Sequence, residues 1–155
     1  MTLIRTYIGL GSNLANPSEQ VQRALLALQT LPDTQLAGHS SLYHTPPLGP
    51  QDQPDFVNAV AGLDTYLSPE NLLLELQAIE QQQGRQRTAE RWGPRTLDLD
   101  IILYGELILN TSTLTIPHSG LLARDFWLRP LLELAPELVL PNGIPLKEYL
   151  NQIGF

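Results

Sequence analysis

Apolar residues along the chain recur with two spacings, near two and near 3.6 residues, and each change of spacing marks a new element. Residues 6–10 form a short apolar run bounded by Gly11-Ser12-Asn13, which predicts a buried strand leading into a turn. A helix is expected next. Asn16 stands at the cap, Pro17 at the first helical position and Glu19 where a capping-box acid would sit, with Val21, Leu25, Leu28 and Leu31 on one face. Residues 36–43 predict a second strand, while 45–54 carry too many prolines for regular structure. Residues 56–63 alternate as a strand, with Phe56, Asn58 and Val60 on one face and Val57, Ala59, Ala61 and Leu63 on the other. Ser68 and Pro69 open a second helix whose buried stripe is Leu72, Leu73, Leu76 and Ile79 and which stops near Gly84. Residues 96–104 read as a strand, Gly105-Glu106 as a turn and 107–109 as a returning strand, with short helices over 126–134 and 145–152. Strand, helix, strand, strand, helix, strand is the order of a ferredoxin-like βαββαβ core. The expected class is therefore α+β, a mainly antiparallel sheet with appended strands and helices.

Length and composition narrow this picture. The 155 residues suit one domain over 1–155, and an apolar share of 43% lies near the globular range. No run reaches membrane-spanning length, and nothing at Met1 reads as a signal peptide. The chain has no cysteine, which excludes thiolate metal sites and cysteine nucleophiles and agrees with a cytoplasmic protein. Any metal must then use oxygen or imidazole ligands. A formal net charge of −7 argues against a general nucleic-acid binder, which needs a basic footprint. Of nine basic residues, Arg85, Arg87, Arg91 and Arg95 nevertheless fall in one short segment, a local attractor for anions. On its own, such a segment is equally an arginine-rich solvated loop.

The sharpest chemical feature is Asp98-Leu99-Asp100. Leu97, Leu99, Ile101 and Leu103 share one face of the expected strand and the two aspartates share the other, about 7 Å apart by strand rise. Paired carboxylates in an apolar strand suit magnesium, which takes a few carboxylates and completes its shell with phosphate oxygens. A bare Asp-x-Asp is as readily two acids on a solvated sheet face. The Arg-rich, Gly- and Pro-marked loop just before it brings guanidinium groups to the same place and suggests a lid. Ile116-Pro117-His118-Ser119, with Arg124 after it, adds a donor and a further charge. Gly9-Leu10-Gly11-Ser12-Asn13 invites a nucleotide-loop reading, but the third glycine of the dinucleotide fingerprint is missing at Leu14 and no Walker lysine follows, so a structural turn is expected.

Gly9-Leu10-Gly11-Ser12-Asn13-Leu14, Tyr43-His44-Thr45-Pro46-Pro47, Gln53-Pro54-Asp55-Phe56-Val57-Asn58 and Arg91-Trp92-Gly93-Pro94-Arg95-Thr96-Leu97-Asp98-Leu99-Asp100, followed by Ile116-Pro117-His118, resemble the hydroxymethyl-dihydropterin pyrophosphokinases. The resemblance implies transfer of pyrophosphate from ATP to the pterin hydroxyl, with attack on the β-phosphorus and release of AMP. It implies that Asp98 and Asp100 bind two magnesium ions, and that Arg85 and Arg95 share the catalytic role. By the same resemblance Gln77, Glu80, Arg85, Trp92, Arg95, Ile101, Thr115, His118 and Arg124 fall on the ATP side. Thr45, Pro46, Leu48, Phe56, Asn58, Trp92 and Phe126 fall where the pterin is held. Ser119 stands where an aromatic residue or proline is usual, and Thr113 where some relatives have arginine; both lie on the expected ATP side. A monomer that binds neither membrane nor nucleic acid is expected. Two rivals remain at this point: another metal-dependent nucleotidyl or glycosyl transferase, and a ferredoxin-like RNA-binding module, which would need stacking aromatics and a basic sheet face.

Overall fold

A computed structural model describes residues 2–13, 16–45, 56–83, 97–121 and 125–152. Its elements are β1 (Ile4–Ser12), α1 (Pro17–Leu28), β2 (Thr34–His39), β3 (Tyr43–Thr45), β4 (Phe56–Thr65), α2 (Pro69–Gln82), β5 (Asp98–Tyr104), β6 (Leu109–Asn110), β7 (Thr115–Ile116), α3 (Asp125–Leu134) and α4 (Leu146–Gln152). The main sheet runs β2-β4-β1-β5 with β3 added beside β4, and every pairing in it is antiparallel. This is the ferredoxin-like order, in which the second and fourth strands of the βαββαβ unit lie at the edges.

The alternation of side chains gives the sheet two apolar faces. On one, Ile8, Leu10, Val57, Ala59, Ala61, Leu63, Leu97, Leu99 and Ile101 pack under α1 and α2, which contribute Val21, Leu28, Leu72 and Leu76. Among the described residues the second face is only half covered. Tyr7, Val60, Ile102 and Leu103 pack under α3 and α4 through Trp127, Leu128, Leu131 and Leu146. Beyond α3 the same face carries Gly9, Gly11, Asn58, Asp98 and Asp100, and it is there that polar chemistry gathers.

Several expectations change in three dimensions. Gly11 and Ser12 do not turn the chain but continue β1, because β4 and β5 pair with it as far as Ser12 and Gly11 respectively. Asn16 starts α1 in the left-handed region at φ 60 and its side chain makes no cap bond, so the capping box with Glu19 is not formed. Ser68, by contrast, does cap α2, its hydroxyl accepting from Asn71 N–H at 3.1 Å. The strand expected over 36–43 is two strands, since Ser40 still donates its N–H to the Val60 carbonyl at 2.8 Å but receives Val60 N–H on its hydroxyl, at 3.0 Å, instead of its carbonyl. Leu103 does not share a face with Leu99 and Ile101. A register shift between Tyr7 and Ile8 leaves Ile102 without a β1 partner and turns Leu103 over to the α3 side. Residues 107–109 do not return along β5; β6 pairs instead with β7 in a separate two-stranded ribbon. The last two helices begin at Asp125 and Leu146, each one residue from the expected start. The proline-rich run 46–54 and the Arg-rich segment 84–96, with the expected helix stop at Gly84, lie outside the described residues.

Candidate active site

Asp98 and Asp100 project from β5 on the half of the second sheet face that α3 leaves open, both partly exposed. Their cross-strand neighbours on β1 are glycines, Gly11 opposite Asp98 and Gly9 opposite Asp100, so β1 itself offers no side chain at these two positions. Asn58 on β4 is the next residue in the Asp98 row, paired to Gly11. Phe56 lies two residues before Asn58 on the same face, as the alternation predicts.

β5 is an edge strand, and its outward backbone groups need partners from elsewhere. Leu99, between the two aspartates, donates its N–H to Glu80 Oε2 at 2.8 Å from the buried side of α2. Ile102, displaced by the register shift, offers its carbonyl to His118 N–H at 2.9 Å. That bond brings the turn after β7 against the strand edge and seats His118 beside Asp100.

His118 is held from three sides. Its Nδ1 accepts from Gly120 N–H at 3.0 Å, its carbonyl accepts from Leu121 N–H at 3.0 Å, and its ring meets Trp127 edge to face with centroids 4.7 Å apart. Because Nδ1 is an acceptor, the neutral ring carries its proton on Nε2. Nε2 lies 3.7 Å from Asp100 Oδ1, a gap that leaves both groups available to a third oxygen. Asp100, Ile101, Thr115 and His118 line one cleft of about 260 Å³, closed on its far side by the 111–114 turn, and Thr113 and Ser119 also face it.

This arrangement fits magnesium. Asp98 and Asp100 supply hard oxygen ligands, and among the described residues no group of three His, Asp or Glu could hold a metal ion without help. Two carboxylates beside an open cleft are what magnesium takes from a protein when phosphate oxygens and water complete its octahedron.

The fold thus gathers Asp100, Ile101, Thr115 and His118 around one cleft, with Asp98 two residues before Asp100 on the same strand and Asn58 in the Asp98 row two strands away. Gln77 is half-buried on α2, one turn before Glu80. Glu80 itself is only 6% exposed and is engaged with the strand backbone, a role its place in the sequence did not signal. Thr45 ends β3 and Phe126 is the second residue of α3. Arg85, Trp92, Arg95, Pro46, Leu48 and Arg124 lie outside the described residues. Sequence reasoning missed Trp127, 3% exposed, whose ring lies over Gly9 and against His118. Its only advance signal was an aromatic directly after Phe126.

Comparisons with known proteins bear on family and fold. The family model described as 7,8-dihydro-6-hydroxymethylpterin-pyrophosphokinase (HPPK) matches residues 7–136. The 2-amino-4-hydroxy-6-hydroxymethyldihydropteridine pyrophosphokinase of Pseudomonas aeruginosa is 58% identical over 151 residues, which are 97% of this chain and 93% of that protein. Its counterpart from Haemophilus influenzae is 54% identical over 152 residues, 98% of this chain and 94% of that one. Among solved structures, Plasmodium falciparum HPPK-DHPS with pteroate superposes with a TM-score of 0.77 at 13% identity. The match covers 98% of this chain but 42% of that longer one, a likeness of fold.

Proposed function

The chain belongs to the 7,8-dihydro-6-hydroxymethylpterin-pyrophosphokinase family, and from that premise we propose how its own residues carry the reaction. The enzyme transfers a pyrophosphoryl group from ATP to 6-hydroxymethyl-7,8-dihydropterin, a step of folate biosynthesis. The pterin hydroxyl oxygen bonds to the β-phosphorus, the bond from that phosphorus to the oxygen bridging the α-phosphate breaks, AMP leaves with the bridging oxygen, and the hydroxyl proton is released.

Asp98 and Asp100 would hold two magnesium ions, which when bound neutralise the triphosphate and draw it toward the pterin hydroxyl. His118 donates through Nε2 to a phosphate oxygen, its ring fixed by Gly120 and Trp127 before substrate arrives. Ile101 and Thr115 face the same cleft and serve the nucleotide, joined by Gln77, Trp92 and Arg124. Arg85 and Arg95 add positive charge where it grows in transit. Asn58 reads the donor and acceptor edge of the pterin, with Phe56, Phe126 and Trp92 offering faces to its ring and Thr45, Pro46 and Leu48 completing the pocket.

One observation carries this reading: the two carboxylates share a strand face, and the second of them lines a cleft with an Nε2 donor 3.7 Å away. A single domain over 1–155, acting as a cytoplasmic monomer without nucleic acid, agrees with an acidic, cysteine-free chain. Among the described residues no helix is long and apolar enough to cross a membrane. The test is product analysis with ATP, magnesium and hydroxymethyl-dihydropterin. AMP and a pyrophosphorylated pterin should appear together and only with all three present. A nucleotide attached to the acceptor, or turnover indifferent to chelation of magnesium, would refute the assignment.

A further inference from the structure

Gly9 and Gly11 are the part of the Gly9-Leu10-Gly11-Ser12-Asn13 run that neither a turn nor the transfer chemistry accounts for. Both lie inside β1, where glycine weakens a strand by leaving a side-chain position empty. Nor does the backbone ask for it, since the described glycines with positive φ are Gly105 and Gly143. What the two positions lack is space. A Cβ on Gly9 would stand 2.6 Å from Trp127 Nε1 and 2.9 Å from its Cε2. One on Gly11 would stand 2.8 Å from Asn58 Oδ1. All three separations are far inside ordinary van der Waals contact.

The two contacts differ in what would give way. Trp127 is a rigid ring in a core, so a side chain at Gly9 would disturb packing. Asn58 ends in a small amide that turns about its own bonds. Gly11 lies between Asn58 on β4 and Asp98 on β5, so an amide resting over Gly11 is carried across β1 toward the carboxylates. We propose that Gly11 is a specificity-determining residue for the pterin, acting through Asn58: its missing side chain lets the amide lie across β1, and a methyl group there rotates the amide away from the pterin edge. Acting through Asn58, Gly11 is a positioning residue. The inference rests on the reading of Asn58 as the group that meets the pterin.

The test is a double-mutant cycle of Gly11→Ala and Asn58→Ala, with Gly62→Ala as control. Gly62 is a strand glycine on the same sheet face whose added Cβ would meet nothing nearer than 3.4 Å. Affinity for hydroxymethyl-dihydropterin is measured by calorimetry with magnesium and a non-hydrolysable ATP analogue, beside affinity for the analogue alone and the melting temperature. Gly11→Ala should weaken pterin binding by about tenfold, the scale of one misdirected hydrogen bond, with analogue binding and melting close to those of Gly62→Ala. In the Asn58→Ala background, where the oxygen that would clash is gone, Gly11→Ala should cost no further pterin affinity. That double variant keeps the test decisive even if Gly11→Ala alone folds poorly, because it must fold and bind as Asn58→Ala does. If Asn58→Ala binds pterin like the parent, the assignment of Asn58 fails and takes the route from Gly11 with it. If Asn58→Ala weakens binding and Gly11→Ala does not, or if the two losses simply add, the positioning role is refuted while Asn58 stands. Equal loss of pterin, analogue and melting temperature would mark Gly11 as structural only.

Discussion

At the scale of single residues, the site sets two like charges on one strand face. Asp98 and Asp100 stand two residues apart on one strand face, roughly 7 Å by strand rise, and like charges at that distance repel until cations arrive. Asp98→Asn and Asp100→Asn keep the shape and remove the repulsion. Each variant should melt at or slightly above the parent temperature in the absence of substrates. Turnover should fall by about a hundredfold or more, because the ligands for the charge-neutralising ions are weakened. Calorimetry of melting beside an AMP-release assay checks both halves, and a variant that keeps full turnover refutes the metal assignment. Asp98 and Asp100 were visible in the sequence because strand alternation is local. Trp127 and the Glu80 contact were not, since nothing in the chain order says which helix lies against which strand.

At the scale of elements, two side chains tie secondary structures together beside the site. Glu80 joins α2 to the outer edge of β5 by accepting Leu99 N–H at 2.8 Å, a bond between groups nearly excluded from water. Glu80→Ala leaves that amide without its carboxylate acceptor and should cost about 1–3 kcal/mol in urea unfolding, with faster hydrogen exchange at Leu99. Glu80→Gln keeps an acceptor and should recover most of the loss; equal behaviour of the two variants would show that the bond does not hold the strand.

Glu133 makes the second tie, from α3 to the corner between β2 and β3. Its Oε2 accepts from Ser41 N–H and hydroxyl, each at 2.9 Å, and its Oε1 from the Tyr43 hydroxyl at 2.6 Å. The Tyr43 hydrogen bond, followed by those from Ser41, holds the Glu133 carboxyl below the usual glutamate range. The same bond to Glu133, helped by burial, raises the Tyr43 phenol above its usual value. A lowered acid stabilises the fold above its unfolded pKa and loses that contribution as pH falls through the folded value. A raised phenol stabilises below its unfolded pKa and loses its share as pH climbs through the folded value. The tie should therefore weaken below about pH 4 and again above about pH 10. Glu133→Gln should flatten the acid side of the stability profile and Tyr43→Phe the alkaline side, each at a cost of about 1 kcal/mol or less because both groups are solvated. Melting temperatures across that range decide it.

For the molecule as a whole, the two cores on either side of the sheet meet the site differently. Leu76 is fully buried between α2 and the sheet, in the core remote from the open face. Leu131, equally buried, seats α3, the helix that presents Trp127 to His118. Leu76→Ala and Leu131→Ala should each lose about 2–5 kcal/mol of unfolding free energy. Only Leu131→Ala should also weaken pterin binding when measured well below its melting temperature, because that core seats the helix that presents Trp127 to His118, whereas α2 meets the cleft on the nucleotide side through Leu73. If both variants lose stability alone, the seat of α3 does not set the site.

The sequence by itself determined the class of fold, the order of its core elements, the shared face of Asp98 and Asp100 and the pairing of Phe56 with Asn58. Each follows from periods of two or 3.6 residues, and those are properties of the local backbone. Tertiary structure alone decided the rest. The glycines of β1 became strand rather than turn because β4 and β5 both paired with them. Leu103 changed cores because a register shift arises between two strands and is written in neither. Glu80, Trp127 and Glu133 acquired their roles from neighbours 19, 9 and about 90 residues away in the chain. Such contacts exist only after the helices settle on the sheet, where burial selects which side chains meet.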